Sequence, residues 1–362
     1  MKRILIYMPS FEGGGAERNA VLIANEFSRS GHRVTLVVDK ESGPNRKLVA
    51  EDVTVRVLCG NSHIANVPSL RKIIKEIAPD IVFARIGLSP FKILLATMGL
   101  LSWRCIVPSY HCSFDPDDRP GGRMTYRLSS LLTRVTGATI SVSSDIRDEL
   151  VSRFYASHDR IKVVYNPIDL PWIESKASED LESWLSGRPY ILSVGRLVNA
   201  KDYPNLLRAY AKIKNELNYD LVILGEGPLR SSLENLVSDL DLKERVYMPG
   251  YLSNPFPVYK KAALFVLSSA YEGFGNVILE AMALGVPVVA TRCPGGPKEI
   301  LEEGKYGRLV QPGDSNGLAE AMIAEISEPV PQEKLKQRSR EFAVDRVAKA
   351  YLDSVSVYVK SS

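Results

Sequence analysis

The sequence predicts an α/β protein made of two doubly wound parallel sheets. Short apolar runs of strand length occur throughout the 362 residues, and helix-like stretches separate most of them. Glycine-rich loops follow several of these runs. Such alternation favours parallel strands with helices on both faces and ligands at the carboxyl ends of the strands. The chain is 45% hydrophobic, which is enough to fill the cores of about two to three domains.

The first half of the chain opens with a buried strand followed by a glycine-rich loop. The apolar runs of this half lie at 4–8, 34–38, 53–58, 81–84, 105–108, 139–142 and 161–164. Gly13, Gly14 and Gly15 follow the first run and lead into an amphipathic stretch. Because glycine lets the backbone approach a ligand closely, this loop predicts a ligand-contacting turn, with a plain flexible turn as the alternative.

A Pro-rich segment at 165–171 places a domain boundary near residue 170. The apolar runs of the second half lie at 190–195, 221–224, 245–251, 263–267 and 287–290. Gly225 and Gly227 follow the second of these runs and predict a tight turn or a close backbone approach. Apolar periodicity from about 344 to 360 predicts a final helix.

The stretch 272–280, Glu-Gly-Phe-Gly-Asn-Val-Ile-Leu-Glu, lies between two strand-like runs. It predicts a glycine-bearing loop and then a helix from about 276 to 284, which together complete a βαβ unit. A helix that opens at Gly275 and Asn276 offers N–H groups and a positive dipole end to an anion such as a diphosphate. Glu272 and Glu280 suit a polyol, since carboxylates accept hydrogen bonds from hydroxyl groups.

Cysteine usage predicts a reduced, cytoplasmic protein. The four cysteines fall in no CxxC or metal-binding pattern, and Met1-Lys2-Arg3 leads directly into the first strand without a signal peptide. The longest apolar run, 93–101, is far shorter than the ~20 residues that span a bilayer.

The net charge of +4 is unevenly distributed. Residues 1–170 hold 23 Lys and Arg against 17 Asp and Glu, whereas residues 171–362 hold 23 against 25. A basic first half suits an anionic membrane surface or an anionic lipid-linked acceptor, and ordinary solubilising charge is the alternative. No nucleic-acid partner is expected, because this half lacks a nucleic-acid motif or a basic stripe interleaved with aromatic residues.

Two mixed stretches in the first half could dock on a membrane interface. One is an amphipathic helix predicted over 119–136, with Arg123, Arg127 and Arg134 on one face. The other runs over 91–104 and includes Lys92. Two core helices with solvated arginines are the alternative.

The stretch 272–280 and its continuation Ala-Met-Ala-Leu-Gly-Val-Pro at 281–287 resemble the Glu-x7-Glu motif of the family 4 retaining glycosyltransferases. That family has the GT-B fold, two facing Rossmann-like domains with a C-terminal crossover helix. The resemblance implies that Glu272 binds the donor sugar and Glu280 the ribose. It also places Gly273, Phe274, Gly275 and Asn276 against the donor.

Further residues match the same family pattern. Gly-Arg-Leu at 195–197 with Lys201 resembles the diphosphate-binding pair, which implies that role for Arg196 and Lys201. The loop of Gly14 and Gly15 resembles one that approaches donor phosphate and acceptor. His111 resembles a histidine near the donor sugar that hydrogen-bonds the sugar or polarises the site. The remaining candidates by resemblance are Glu17 and Arg18 on the acceptor side, Gly225 and Tyr251 on the nucleotide, and Lys298 and Glu299 beside the donor site.

The resemblance implies a retaining, metal-independent hexosyltransferase that needs no cofactor. Its donor would be a nucleotide sugar, with UDP favoured over GDP, and its acceptor a hydroxyl of a probable lipid-linked surface glycan. Domain 1–170 would bind the acceptor, with helix 345–362 packed back on it, and domain 171–344 would bind the donor. The enzyme would be cytoplasmic or peripheral on the inner face of the plasma membrane. A non-catalytic nucleotide-sugar-binding scaffold is the alternative.

Asp115, Asp117 and Asp118 form an Asp-x-Asp pattern that in other glycosyltransferases can hold a divalent metal on the diphosphate. Asp- and Pro-rich stretches also form turns. The resemblance to metal-independent enzymes favours the turn.

Overall fold

The computed structural model describes residues 1–12, 14–58, 60, 65–85, 88–114, 120–180 and 187–356. Within these ranges the strands are β1 Arg3–Met8, β2 Arg33–Val38, β3 Thr54–Val57, β4 Ile81–Arg85, β5 Ile106–Tyr110, β6 Thr139–Ser141, β7 Ile161–Val163, β8 Tyr190–Val194, β9 Asp220–Leu224, β10 Val246–Gly250, β11 Leu264–Leu267, β12 Val288–Thr291 and β13 Arg308–Val310.

The helices in the same ranges alternate with these strands. They are α1 Gly15–Arg29, α2 Asn66–Ile77, α3 Ser89–Thr97, α4 Pro120–Arg127, α5 Ser129–Val135, α6 Ser144–Phe154, α7 Leu170–Lys176, α8 Tyr203–Ile213, α9 Arg230–Asp239, α10 Phe256–Lys261, α11 Asn276–Ala283, α12 Pro297–Ile300, α13 Ser315–Ser327, α14 Gln332–Ser339 and α15 Val344–Val355. None of these helices is long and apolar enough to cross a membrane.

The chain forms two compact units. Unit 1 comprises 1–167 and 342–362, and unit 2 comprises 168–341. Both junctions lie close to the boundaries expected at 170 and 344. The first lies within the Pro-rich segment that marked it in the sequence.

Each unit is built on a parallel sheet. In unit 1 the described strands are ordered β3-β2-β1-β4-β5-β6-β7, and in unit 2 they are ordered β10-β9-β8-β11-β12-β13. The order reverses between β1 and β4 in the first sheet and between β8 and β11 in the second. Such switch points form the crevices in which open α/β sheets bind ligands, at the carboxyl ends of the strands. The predicted doubly wound α/β class is confirmed.

The sheet of unit 1 is buried on both faces because its strands are continuous apolar runs. One face packs under α1 and α15, and the other packs under α2 and α3. On the first face Phe83 of β4 stacks on Phe27 of α1 and meets Tyr351 of α15 edge-on. The final helix therefore packs back on the first unit, as predicted.

One sequence prediction was wrong in detail. The helix expected over 119–136 is broken at Leu128, whose φ of −98° and ψ of 8° lie outside the helical range. The spacing of Arg123, Arg127 and Arg134 therefore does not describe one continuous helical face.

Lys92, in the second of the two stretches that could dock on a membrane, is buried. Its Nζ lies 2.6 Å from Asp39 Oδ2 and donates to Tyr7 Oη at 2.8 Å. Strand β13 was not predicted, because three partly buried residues give too short an apolar run to recognise.

Candidate functional site

Three loops of unit 2 meet at the carboxyl ends of β8, β11 and β12. The loop after β11 is joined to the loop after β8 by a backbone bond from Ala270 N to Ala200 O at 2.8 Å. It is joined to the loop after β12 by a bond from Glu272 N to Pro294 O at 2.9 Å. Ser268 Oγ also donates to Lys201 O at 2.7 Å. The three loops therefore form one hydrogen-bonded surface beside the switch point of the sheet.

Glu272 and Lys201 form an ion pair on this surface. Lys201 Nζ lies 2.5 Å from Glu272 Oε1, and Ser269 Oγ donates to the same oxygen at 2.7 Å. The two charged side chains are 19% and 10% exposed, respectively. The family resemblance implied a diphosphate ligand for Lys201 and a sugar ligand for Glu272. The structure places the two groups in direct contact, so a ligand that binds one of them will change the partner of the other.

Glycines let the loops after β11 and β12 touch through their backbones. A Cβ on Gly295, whose φ is +122°, would lie 2.3 Å from Glu272 O. A Cβ on Gly296 would lie 2.3 Å from Phe274 O. The ring of Phe274 is buried, so it anchors the loop rather than offering a surface to solvent.

Helix α11 directs its N-terminus at this loop. Gly275, with φ +95°, precedes Asn276 and provides no side-chain cap. The partial positive charge of the helix end is thus available to an anion. Glu280 follows one turn after Asn276 on the same helix and is half-buried, with Tyr259 Oη 3.3 Å from its Oε2. An anion site and a carboxylate for hydroxyl groups therefore share one helix.

Arg196 is exposed on a loop that is shaped by glycines. A Cβ on Gly225, at φ +145°, would lie 1.9 Å from Gly195 O, and one on Gly227 would lie 2.5 Å from Leu197 O. At both glycines the backbone of the turn after β9 therefore lies close against the loop that carries Arg196. Across the described ranges, no hydrogen bond or ion pair engages its guanidinium. Its charge is available to a ligand.

Burial and the negative charge of Glu272 raise the pKa of two neighbouring groups. Burial first, and then the Glu272 carboxylate, raise the pKa of Cys293 to about 12. The same two causes raise the pKa of Tyr203. Both groups therefore stay protonated at neutral pH. Sequence reasoning missed these neighbours and Ser269, although a Ser pair directly after β11 is a polar strand end that could have indicated them.

Other predicted residues of unit 2 lie around the same edge. Tyr251 follows β10 and is 69% exposed. Lys298 and Glu299 lie in α12, directly after Gly296.

The candidates of unit 1 lie at the carboxyl edge of its own sheet. Gly14 caps α1, which begins at Gly15, and a Cβ on Gly14 would lie 2.1 Å from Glu17 Oε2. His111 follows β5, and its Nε2 lies 2.8 Å from Ser109 Oγ. Burial and the charge of Arg85 lower the pKa of His111 well below its usual value. Its imidazole is therefore neutral at physiological pH.

Some predictions lie outside the described residues. These are the predictions for Gly13 and for the Asp-x-Asp residues Asp115, Asp117 and Asp118. Over the part of the chain that the structure covers, no group of three His, Cys, Asp or Glu side chains lies close enough to hold a metal. The metal-independent site stays a prediction.

Two family models together match most of the sequence. "Glycosyltransferase Family 4" matches residues 13–171, and "Glycosyl transferases group 1" matches residues 177–342. The second match contains the whole loop surface with Arg196, Lys201 and Glu272. The chain belongs to the family 4 glycosyltransferases.

Curated relatives of this family 4 glycosyltransferase include an enzyme of Campylobacter jejuni. It is the N-acetylgalactosamine-N,N'-diacetylbacillosaminyl-diphospho-undecaprenol 4-alpha-N-acetylgalactosaminyltransferase, 35% identical over 222 residues, with 61% of this chain and 60% of the relative covered. The lipopolysaccharide core biosynthesis glycosyltransferase LpsE of Rhizobium meliloti is 34% identical over 169 residues, with 45% and 48% covered. The alignments therefore span about half to three fifths of these relatives.

The solved structure of HepE from Anabaena, in complex with UDP and glucose, has the same fold as this family 4 glycosyltransferase. The TM-score is 0.84 at 21% identity, with 99% of this chain and 100% of HepE covered. Together with the two parallel sheets, this likeness confirms the predicted GT-B fold.

Proposed function

We propose that the protein is a retaining glycosyltransferase that transfers a hexose or N-acetylhexosamine from a UDP-sugar to a hydroxyl of a lipid-linked glycan. The observation that carries the proposal is the Lys201–Glu272 ion pair beside the uncapped N-terminus of α11. A cation, a helix dipole and a carboxylate at one strand edge match the diphosphate and the hydroxyl groups of a nucleotide sugar.

In this mechanism unit 2 stabilises the leaving group. As the bond between the sugar C1 and the diphosphate oxygen breaks, negative charge grows on the diphosphate. Arg196, Lys201 and the α11 dipole are oriented to stabilise that charge. The acceptor hydroxyl oxygen forms the new bond to C1 on the same face, so the configuration is retained. Its proton passes to an oxygen of the departing diphosphate.

The remaining residues hold the donor in place. The free oxygen of Glu272 accepts hydrogen bonds from sugar hydroxyls, and Glu280 accepts them from the ribose. His111, neutral because of burial and Arg85, acts as a hydrogen-bonding group rather than as a general base. Two cations and a helix N-terminus supply the charge that a divalent metal supplies in other glycosyltransferases. We therefore propose metal-independent transfer.

The relatives support the substrate class. The Campylobacter jejuni enzyme acts on a diphospho-undecaprenol-linked glycan, and LpsE acts in lipopolysaccharide core biosynthesis. HepE was crystallised with UDP and glucose. The UDP of HepE supports a UDP-sugar donor, and the diphospho-undecaprenol group of the Campylobacter jejuni relative supports a lipid-linked acceptor.

Unit 1 carries the features expected of a peripheral membrane contact on the cytoplasmic side. Leu95, Met98, Met124 and Leu131 are large exposed apolar residues of the segment 89–135. Arg127 and Arg134, in the same segment, are also exposed. Exposed apolar side chains and exposed cations in one segment suit an anionic bilayer. Sedimentation with anionic vesicles should fall for Leu131→Glu, while equal sedimentation of variant and wild type would contradict the contact.

Thermal unfolding with a panel of UDP- and GDP-sugars tests the donor site. A ligand that binds only the folded protein at one hundred times its Kd stabilises it by about 2.7 kcal/mol. We expect a shift with one UDP-sugar, kept in EDTA and lost in Glu280→Ala. Glu320→Ala is the matched control, since this exposed glutamate also lies inside a helix of unit 2.

The outcomes separate the parts of the proposal. No shift with any nucleotide sugar would contradict donor binding. A shift that EDTA abolishes would contradict the metal-independent mechanism. It would favour Asp115 and Asp117 as ligands of a divalent metal. Binding without turnover on any lipid-linked acceptor would favour a non-catalytic scaffold. The anomeric configuration of the product, read by NMR, tests retention.

A further inference from the structure

Unit 1 buries a guanidinium group that no side chain of the described residues neutralises. Arg85 is the last residue of β4 and is 1% exposed. Its Nε, Nη1 and Nη2 have no hydrogen-bond partner within the described ranges. The ring of Tyr351 in α15 lies beside it, with its centroid 5.6 Å from Arg85 Cζ. A cation–π contact offsets only a small part of the cost of burying a charge.

The other buried charges of the described chain have partners. These pairs are Glu26 with Arg29, Lys92 with Asp39, Asp220 with Arg245, Glu325 with Arg308, and Arg338 with Glu341. A buried charge without a counter-ion is strongly destabilising. The described residues around Arg85 therefore supply no counter-charge, and this environment favours an anion.

Further unpaired groups lie on the same side of the sheet. The buried Nδ1 of His111, Oη of Tyr351 and Nδ2 of Asn19 have no partner in the described residues. Arg85 lies opposite Ser109 in the β4–β5 register, and Ser109 Oγ contacts His111 Nε2. Asn19 lies in α1, which covers this face of the sheet together with α15.

Each of these groups can donate a hydrogen bond, and none of them is anionic. A neutral imidazole carries one N–H, a tyrosine hydroxyl can donate, and an amide nitrogen only donates. Donors on the same side of the sheet as a buried cation suit an oxyanion. The planar guanidinium binds phosphate oxygens in a bidentate manner. The position at the end of β4, beside the reversal of strand order between β1 and β4, is one at which parallel sheets bind ligands.

We propose that Arg85, with Tyr351 and Asn19, binds the phosphate or diphosphate group that links the acceptor glycan to its carrier. The assignment of the anion to the acceptor rests on the proposed function. The presence of an oxyanion site at Arg85 does not rest on the proposed function.

The first experiment tests the anion site without any turnover. In an Arg196→Met/Lys201→Met background, which removes the two cations of unit 2, inorganic diphosphate is titrated while thermal unfolding is followed. We expect diphosphate to raise the Tm of this background and to leave the Tm unchanged once Arg85→Met is added. Arg127→Met, an exposed arginine of the same unit, should keep the shift. Absence of a shift in the background, or a shift that persists with Arg85→Met, would overturn the site.

The stability of Arg85→Met without ligand separates binding from a structural role. Removing an unpaired buried charge should leave the Tm equal or higher, because no native hydrogen bond is lost. A large fall in Tm would mean that Arg85 serves mainly to hold α15 through Tyr351, and would overturn the proposal. Arg85→Lys keeps the charge but loses the bidentate geometry, so diphosphate should bind about tenfold more weakly. Unchanged affinity in that variant would also count against the site.

The second experiment assigns the anion to the acceptor. The KM for a short polyprenyl-diphosphate-linked sugar should rise at least about tenfold in Arg85→Met, the loss expected for one charged hydrogen-bonding partner. The KM for the same sugar on an uncharged alkyl chain should stay unchanged. An equal rise with both acceptors, or with neither, would overturn the assignment. If the wild type uses no acceptor at all, the proposed function fails, while the diphosphate titration still decides the anion site.

Discussion

Lys201 Nζ contacts Glu272 Oε1 at 2.5 Å across a sequence separation of 71 residues. Ser269 Oγ lies 2.7 Å from the same oxygen, and Ser268 Oγ binds the Lys201 carbonyl. Both serines lie in the loop after β11, so this loop holds the ion pair in place. A catalytic cation that is already oriented needs little reorganisation when charge develops on a leaving group.

Loss of one partner of this pair should destabilise the protein more than loss of both. Lys201→Met leaves the Glu272 carboxylate without its cation at a site that is 10% exposed, so the free energy of unfolding should fall by about 3 kcal/mol. The double variant Lys201→Met/Glu272→Gln should be more stable than Lys201→Met by about 1 kcal/mol or more. Urea denaturation measures both values. Strictly additive effects would show that the two side chains do not interact.

Arg196 should matter for activity and not for stability. Its exposed side chain has no partner within the described ranges, so Arg196→Met should change the free energy of unfolding by less than about 0.5 kcal/mol. Loss of one group that stabilises the leaving diphosphate should lower kcat by about 100-fold or more. Arg340→Met, at another exposed arginine of unit 2, should change neither quantity. A kcat within a few-fold of wild type for Arg196→Met would remove Arg196 from the mechanism.

Gly225→Ala should damage both the fold and the donor site. A Cβ there would lie 1.9 Å from Gly195 O at a φ of +145°, so backbone must move and the cost should exceed about 2 kcal/mol. Because the displaced segment carries Arg196, the KM for the donor should rise as well. Gly313→Ala is the matched control. Its φ is also positive, at +77°, but no atom lies within 4 Å of the added Cβ, so only about 1 kcal/mol should be lost.

His111 should make the protein less stable in mild acid. Its pKa is lowered in the folded state by burial and by Arg85, whereas the unfolded chain titrates near about 6.5. Below that pH the unfolded state takes up a proton that the folded state does not. The free energy of unfolding therefore falls by up to about 1.4 kcal/mol per pH unit on acidification. This contribution is absent above the unfolded pKa.

Thermal unfolding of His111→Gln between pH 5 and pH 7.5 checks this contribution. The variant should lose less stability than the wild type on acidification. His158→Gln, at a largely exposed histidine, should keep the wild-type slope. Equal slopes for His111→Gln and wild type would contradict a neutral buried imidazole.

Local pattern was enough to predict most of the fold. The apolar runs at 4–8 and 190–195 became β1 and β8 almost to the residue, because a strand buried on both faces is a continuous apolar run. The helix after Gly275 begins at Asn276 as predicted. The break at Leu128 was not predictable, since a helical periodicity continues through a change of helix direction that packing imposes.

The candidate site also has features that the sequence predicted and features that only the structure shows. Motif and spacing selected Arg196, Lys201, Glu272 and Glu280, because the residue types that suit a diphosphate and a polyol follow recognisable glycine turns. The contact between Lys201 and Glu272 was not visible in the sequence, and neither was the burial of Cys293 and Tyr203 around it. Those relationships depend on which strands are neighbours, and β8 and β11 become neighbours only when the sheet forms.

Arg85 shows the difference most clearly. In the sequence it is one of 46 Lys and Arg residues, and nothing in its local pattern distinguishes it from a solvated cation. Chain composition and motifs determined the fold class and the family and selected the candidate donor-site residues, because these depend on local periodicity and short-range spacing. Burial and pairing of charges were decided by tertiary packing, because the cost of a charge depends on what surrounds it in space and not on its neighbours along the chain.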